Sequence, residues 1–301
     1  MTDTLDTATD PSEEVRHMSA RRSWWQRLRA DRTGMLGLVL VVLVVLAAAL
    51  APLVAPFDPN HQFANGLSDF GMPRAPDATY LLGTDLLGRD LLSRILFGAR
   101  VSLIIGLVAN GVAVGIGAVV GVIAGYFRGW LGTVLMRFTD VMTAFPALVL
   151  AIALAAILRP SLWIVALVIA MVNWVYVARA IYAQVLAIRE RQYIEATTAL
   201  GVPTFGVLFR HILPQLTLSL LVFATLGIST SVLLEASLSY LGVGVQPPTP
   251  SWGGIINASQ SYLTTAPWLV LFPGLAIILT SVGFNLFGEA LRDALDVGGR
   301  R

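Results

Sequence analysis

Apolar and polar positions alternate in long blocks along this chain. Met35–Ala55 is uninterrupted apolar, and its 21 residues reach about 31 Å as a helix, one hydrocarbon thickness. Further apolar blocks cover 101–126, about 133–158, 161–181, 214–239 and 267–290. The pattern predicts an all-α integral membrane protein with six transmembrane helices. Between the first two blocks, 56–100 is mixed. Pro56, Asp58, Pro59, Asp69, Pro73 and Pro76 mark a loop. The stretch GTDLLGRDLLSRILFGAR (83–100) sets Arg89, Asp90, Ser93 and Arg94 between apolar pairs, predicting an amphipathic helix at an interface. A Pro-rich loop, including QPPTPSWGG, fills 242–266.

The ends are polar. Residues 1–20 carry Asp3, Asp6, Asp10, Glu13 and Glu14 and predict a disordered tail rather than a signal peptide. RRSWWQRLRADRTG (21–34) surrounds Trp24, Trp25 and Leu28 with Arg and predicts an interfacial helix; a plain basic flank is the alternative. A short tail closes the chain at 291–301. In the second span Gly111 and Gly115, then Gly117, Gly121 and Gly125, recur at four-residue spacing, as close helix packing requires.

Composition agrees with the blocks. Of 301 residues 56% are hydrophobic and 13% charged, and the mean hydropathy is +0.76, which excludes an ordinary soluble domain. All 20 basic residues are Arg. Without Lys the chain cannot build a P-loop, so it does not hydrolyse ATP by that route. Absence of Cys excludes disulfides and thiolate metal sites. His17, His61 and His211 are scattered, so no His pair for a metal exists and no metal site is expected. The Arg lie beside apolar runs rather than along one polar face, which gives no sign of nucleic acid. Arg16, Arg21, Arg22, Arg27, Arg29, Arg32, Arg128, Arg179, Arg189, Arg191, Arg210, Arg292, Arg300 and Arg301 fall on one side of a six-span arrangement. Arg74, Arg89, Arg94, Arg100 and Arg159 fall on the other. The positive-inside rule puts both termini in the cytoplasm.

Residues 191–214, RQYIEATTALGVPTFGVLFRHILP, are a half-polar island between two spans. Tyr193, Ala196 and Leu200 fall at i, i+3 and i+7, a narrow apolar face. Ala196, Thr197 and Ala199 are small enough for a partner to come close. Gly201 can take the left-handed conformation that stops a helix, and Pro203 cannot continue it. A helix this short is not stable alone in water. It needs either a protein partner or the bilayer surface.

Ionisable groups inside spans demand a reason. Asp140 follows Arg137 by one turn and can pair with it. Glu235 either faces a polar path through the bundle or bonds a neighbouring helix, and the same choice holds for Asn173 and Trp174.

Five ordered segments resemble the inner-membrane permease subunit of ATP-binding cassette importers, dipeptide/oligopeptide/nickel branch. They are GTDLLGRDLLSRILFGARVSL (83–103), RFTDVMTAFPALVLAI (137–152), EATTALGVPTFGVLFRHILP (195–214), EASLSYLGVGVQPPTPSWG (235–253) and NLFGEALRDALD (285–296). The first segment is similar to that of the second of the two paired permeases. The resemblance implies a type I importer transmembrane domain over 101–290, with a coupling helix in 192–208 that docks on a cytoplasmic ATPase. Glu195, Ala196 and Gly201 match its motif, and Thr197 stands where Ala is commonest. Tyr193, Ala199, Leu200 and Arg210 complete the implied ATPase-coupling set. It further implies a homologous second permease as heterodimer partner, two ATPase subunits that bind ATP and Mg, and an extracytoplasmic substrate-binding protein. Asp85, Arg89, Gln246 and Trp252 are the residues expected to dock that protein, unless 83–100 and 246–254 serve only as a rigid cap. The expected location is the inner membrane. The subunit itself is expected to hold no cofactor and catalyse nothing. Peptide is the expected substrate, with nickel complexes, glutathione or oligosaccharide as alternatives. A self-sufficient secondary transporter would need ion-coupling groups near the midplane, where only Asp140 and Glu235 are available, neither at an expected helix break. An intramembrane enzyme would need a metal triad or a nucleophile–base pair, and no His lies in any span.

Overall fold

A computed structural model describes residues 24–158 and 161–295. The acidic tail, Arg159, the last six residues and the side chains of Trp24 and Trp25 lie outside the described residues. The described chain is helical: α1 (Trp24–Ala30), α2 (Arg32–Ala49), α3 (Leu91–Tyr126), α4 (Trp130–Ala144), α5 (Ala147–Ile157), α6 (Leu162–Arg189), α7 (Gln192–Ala199), α8 (Leu213–Tyr240), α9 (Trp252–Ser259) and α10 (Trp268–Leu295), with short helical turns at Ala51–Val54 and Thr204–Val207. Five helical stretches are long and apolar enough to cross a bilayer. They are α2, α3, α6, α10 and Thr204–Tyr240, which ends in α8. A sixth crossing needs α4 and α5 together, and these are bent by 90°.

The expected interfacial helix over 21–34 divides at Asp31. Its carboxylate accepts from the Thr33 amide at 3.0 Å and from the Thr33 hydroxyl at 2.7 Å, capping α2. The hydroxyl bond, first, holds the Asp31 carboxyl below the usual carboxylate range. Leu28 of α1 is buried against Ala290 and Ala294 of α10. Helix α2 lies along α10 with Gly37 against the Phe287 backbone, and its outer side, with Leu36, Leu43 and Leu46, is exposed.

The third apolar block is not one straight helix. Phe145 is extended (φ −89°, ψ 132°) before Pro146. Proline disfavours helix in the residue before it and lacks an N–H. Asp140 therefore does sit close to a helix break, contrary to expectation, and pairs with Arg137 at 3.7 Å on an exposed face.

Helix α3 forms the centre. Its 36 residues extend about 54 Å, well beyond the hydrocarbon thickness. Gly117, Gly121 and Gly125 let α6 come close. A Cβ at Gly121 would meet the Ala178 carbonyl at 2.6 Å, and one at Gly125 would meet Val185 at 2.8 Å. Gly111 and Gly115, whose four-residue spacing also points to close helix packing, face open space, with nothing within 4 Å of an added Cβ.

The stretch 83–100 is not one amphipathic helix. Gly83 and Gly88 have positive φ (82° and 71°), and the helix begins only at Leu91. There Asp90 caps it by accepting from the Ser93 amide at 2.8 Å. The polar residues face each other rather than an interface. Asp85 accepts from the amides of Leu87 and Arg89 and pairs with Arg89 at 2.7 Å and Arg94 at 3.2 Å. This knot, with the rings of Phe57, Phe63 and Tyr80 packed edge-on or tilted against one another, makes 56–90 a built cap on the N-terminal end of α3.

Candidate functional site

At the opposite end of the molecule the chain leaves α6, forms α7 and re-enters the bundle at α8. A Schellman motif stops α7: the Gly201 amide donates to the Thr198 carbonyl at 3.0 Å and the Val202 amide to the Thr197 carbonyl at 3.3 Å. Gly201 has φ +78° with open space around it, so the backbone conformation alone demands glycine. Residues Leu208–Ile212 then form a π-helical turn, and Pro214 opens α8.

One residue of α7 is sunk into the bundle. Ile194 is buried among Val185, Ile188, Val207, Leu208, Ile212 and Leu216. The remainder of the helix faces outward. Leu200 is 85% exposed, and Tyr193, Glu195, Ala196 and Ala199 share that exposure. Phe205 and Phe209 stack on each other at 6.2 Å on the return path and are also exposed. Arg210 is exposed in the π turn. Six of the seven residues anticipated from the island thus lie in or at the end of α7, and Arg210 sits apart on the return path.

A cleft of about 360 Å³ opens beside α7, lined by Tyr126, Arg128, Arg189, Glu190, Glu195 and Thr198 among others. Its floor is fixed. Arg189 donates to the Tyr126 carbonyl at 2.5 Å and lies 5.4 Å over the Tyr126 ring. Arg128 pairs with Glu190 at 2.6 Å. Among the described residues no group of three His, Cys, Asp or Glu could hold a metal ion.

Three residues at this elbow were not anticipated: Ile194, Arg191 and Gln215. The Gln215 carboxamide accepts from Arg191 at 3.0 Å and donates to the Tyr193 hydroxyl and the His211 carbonyl. The sequence signal was available, a lone amide one position after Pro214 at the mouth of an apolar span.

The anticipated path and docking residues lie differently. Glu235 is fully buried, accepting from Ser102 at 2.8 Å and Ser239 at 2.7 Å. It bonds a neighbouring helix and does not face an open path. Trp174 is buried and stacked on Phe138 at 6.0 Å, while Asn173 donates to Ser231 of α8 at 3.2 Å. Trp252 is 1% exposed, packed on Gly98 and donating to the Ile95 carbonyl at 3.0 Å. It cannot serve as an exposed anchor, because its indole is the plug between α9 and α3. Asp85 is equally withdrawn into its ion pairs, and Arg89 with it. Gln246 alone of that set is exposed.

The fold is thus a bundle of helices long and apolar enough to cross a membrane, with an exposed helical elbow at one end. The sequence pattern of the family described as binding-protein-dependent transport system inner membrane component matches residues 117–298. That of the N-terminal transmembrane domain of oligopeptide transport permease C matches 19–74. The chain is 38% identical to the dipeptide transport system permease protein DppC of Alkalihalophilus pseudofirmus over 291 residues, 95% of this chain and 92% of that protein. It is 40% identical to the di/tripeptide transport system permease protein DppC of Pseudomonas aeruginosa, covering 96% and 95%. To the glutathione transport system permease protein GsiD of Escherichia coli O157:H7 it is 38% identical, covering 94% and 93%. The chain belongs to the inner-membrane permease family of binding-protein-dependent transport systems. Its fold is the type I importer membrane domain. It is a non-catalytic, multi-pass inner-membrane subunit, and ATP hydrolysis lies with partner subunits.

Proposed function

We propose that this permease forms half of a translocation pathway for di- or oligopeptides, with a homologous second permease forming the other half. Two cytoplasmic ATPase subunits bind ATP and Mg, and one of them docks on α7 of this chain through Tyr193, Glu195, Ala196, Ala199 and Leu200. Gly201 holds the end of that helix, and Arg210 flanks it. A substrate-binding protein delivers cargo to the opposite face, where 56–90 and 246–254 form the cap, and both termini lie in the cytoplasm. The observation that carries the reading is Leu200, 85% exposed at the end of a helix whose one buried side chain is Ile194. Such a helix has no stability of its own, and a partner surface supplies it.

The names of the relatives support peptide, and glutathione is itself a tripeptide thiol, so both fit one pathway. ATP binding must favour one packing of the two permeases over the other by a few kcal/mol to switch access. Reconstitution tests the reading. Proteoliposomes with both permeases and both ATPases should take up a labelled dipeptide only with ATP and loaded binding protein. Uptake driven by an ion gradient through this chain alone would overturn it.

A further inference from the structure

We infer that Gln215 is a positioning residue that ties the docking helix α7 to the transmembrane helix α8, so that a displacement of one is delivered to the other. The inference rests on the docking role of α7 proposed above.

Few links join α7 to the bundle. One is apolar, through Ile194, and two are backbone, the joint to α6 at Glu190–Arg191 and the Schellman turn that leads through Gly201 to Pro203. The fourth is the Gln215 carboxamide, which uses both of its ends. Its oxygen accepts from Arg191 at the start of α7, and its nitrogen donates to Tyr193 in the first turn and to the His211 carbonyl. One side chain on the first turn of α8 therefore holds two residues at the head of α7 and the π turn that connects them.

What α8 does above that point gives the tie its consequence. Ser219 donates to Gln184 of α6 at 2.7 Å. The carbonyls of Phe223 and Ala224 accept from Asn110 of α3 at 3.2 and 2.7 Å. Ser231 accepts from Asn173 of α6, and Glu235 from Ser102 of α3. A line of polar stitches climbs α8 from Gln215 to the cap, binding it to both neighbours. Inside a bilayer such bonds have no water to exchange with and hold helices in register. Movement entering at Gln215 is then passed to α8, and through it to α3 and α6, as one body.

The test uses the complete transporter in nanodiscs, with both permeases, the ATPases and the binding protein. Gln215→Met keeps the length and removes the bonds. The expected result is normal assembly, an unchanged half-saturating concentration of loaded binding protein, and a severalfold fall in peptide taken up per ATP hydrolysed. Uptake per ATP is a ratio that loss of folded protein does not alter. Tyr193→Phe alone should lower the same ratio, and should lower it no further in the Gln215→Met background. An unchanged ratio in Gln215→Met, or additive effects in the double variant, overturns the tie. If Gln215→Met does not assemble, Gln215→Glu decides. It keeps the acceptor for Arg191 and loses the donors, so an intermediate ratio supports the tie and a wild-type ratio overturns it. Gly201→Pro run beside them separates the two levels. If it abolishes coupling while Gln215→Met does not, only the tie falls. If Gly201→Pro also leaves uptake per ATP unchanged, the docking role falls and takes the tie with it.

Discussion

Glu235 of α8 accepts a hydrogen bond from the Ser102 hydroxyl of α3 at 2.8 Å, and neither residue is open to solvent. Ser239 donates to the other carboxylate oxygen and itself accepts from the Val245 amide at 3.2 Å. The carboxylate is thus the junction of two spans and the loop that follows α8. Glu235→Ala leaves two buried hydroxyls without an acceptor, at about 1–3 kcal/mol for each group left unsatisfied. A clear drop in the melting temperature of the purified complex is expected, with earlier proteolysis within 242–266. Glu235→Gln keeps one acceptor oxygen and should lose about half as much. The half-saturating peptide concentration of whatever folds should not change, since the residue is not on an open path.

The glycines of α3 separate by side. At Gly121 an added Cβ meets the Ala178 carbonyl at 2.6 Å, a backbone atom that cannot rotate away. Gly121→Ala should force α3 and α6 apart at about 1–3 kcal/mol, the usual range for overpacking. Gly111→Ala and Gly115→Ala meet nothing within 4 Å and should be neutral, or stabilising by about 0.5–1 kcal/mol because alanine suits a helix interior better. Thermal unfolding of the isolated chain checks the contrast. Alanine at 111 or 115 that spares the isolated chain but blocks assembly would mark that face as contact with the second permease.

How far the sequence could be read depends on what each residue answers to. Hydropathy places the spans because each must carry an apolar run long enough to cross the hydrocarbon. Gly201 and Pro203 were readable because their backbone chemistry is intrinsic. Gly111 and Gly117 carry the same signal in sequence, yet only one meets a neighbour, because spacing does not say which face of a helix is covered. Pro146 lies in plain view inside an apolar run, but the run continues on both sides and conceals the bend. Asp85, Arg89 and Arg94 look amphipathic in order along the chain. They satisfy one another in space, a long-range outcome of the turns at Gly83 and Gly88. Gln215 was overlooked because an amide at the mouth of a span resembles an ordinary boundary residue until its three partners are known.

The cap on the N-terminal end of α3 yields an opposed pair of predictions. Trp252 is buried on Gly98, whereas Phe70 stands 93% exposed at the tip of the turn around Gly71. Trp252→Ala should destabilise by about 3–5 kcal/mol, as large-to-small changes of buried aromatics do. Phe70→Ala should leave the melting temperature where it is. If Trp252→Ala melts like the wild type, the indole is not the plug that its burial implies.

The same cap has a defined pH response. Asp77 accepts from the Tyr80 amide at 2.7 Å and the Thr79 amide at 2.8 Å. The Tyr80 amide first, then that of Thr79 and the charge of Arg74, hold its carboxyl below the usual carboxylate range. A lowered value in the fold means the contribution is complete above the ordinary carboxylate range and is lost as pH falls through the lowered value. The protection factors of the Thr79 and Tyr80 amides, that is, their exchange corrected for its intrinsic pH dependence, should therefore stay flat from neutral pH down to mildly acid conditions and fall only below them. Asp77→Asn should show no such transition.

Docking on α7 is open to a graded test, because conformation and surface can be changed separately there. At Gly201 only the backbone matters, since φ is +78° and no atom crowds the site. Gly201→Ala should cost about 1–2 kcal/mol for the left-handed conformation, and Gly201→Asn less, because asparagine tolerates that region. Gly201→Pro cannot adopt a positive φ at all and also removes the amide that bonds Thr198. Coupled uptake should fall in the order Asn, Ala, Pro, with the chain still in the membrane. Leu200→Asp and Glu195→Arg change the surface and not the backbone. Leu200 is largely exposed, so its loss should leave the melting temperature of the isolated permease unchanged while reducing the ATPase that co-purifies with it. A surface variant that retained full ATPase binding and uptake would show that the partner grips the chain elsewhere. A loss confined to the surface variants, with Gly201→Asn and Gly201→Ala silent, would show that the end of α7 need not be held in one conformation.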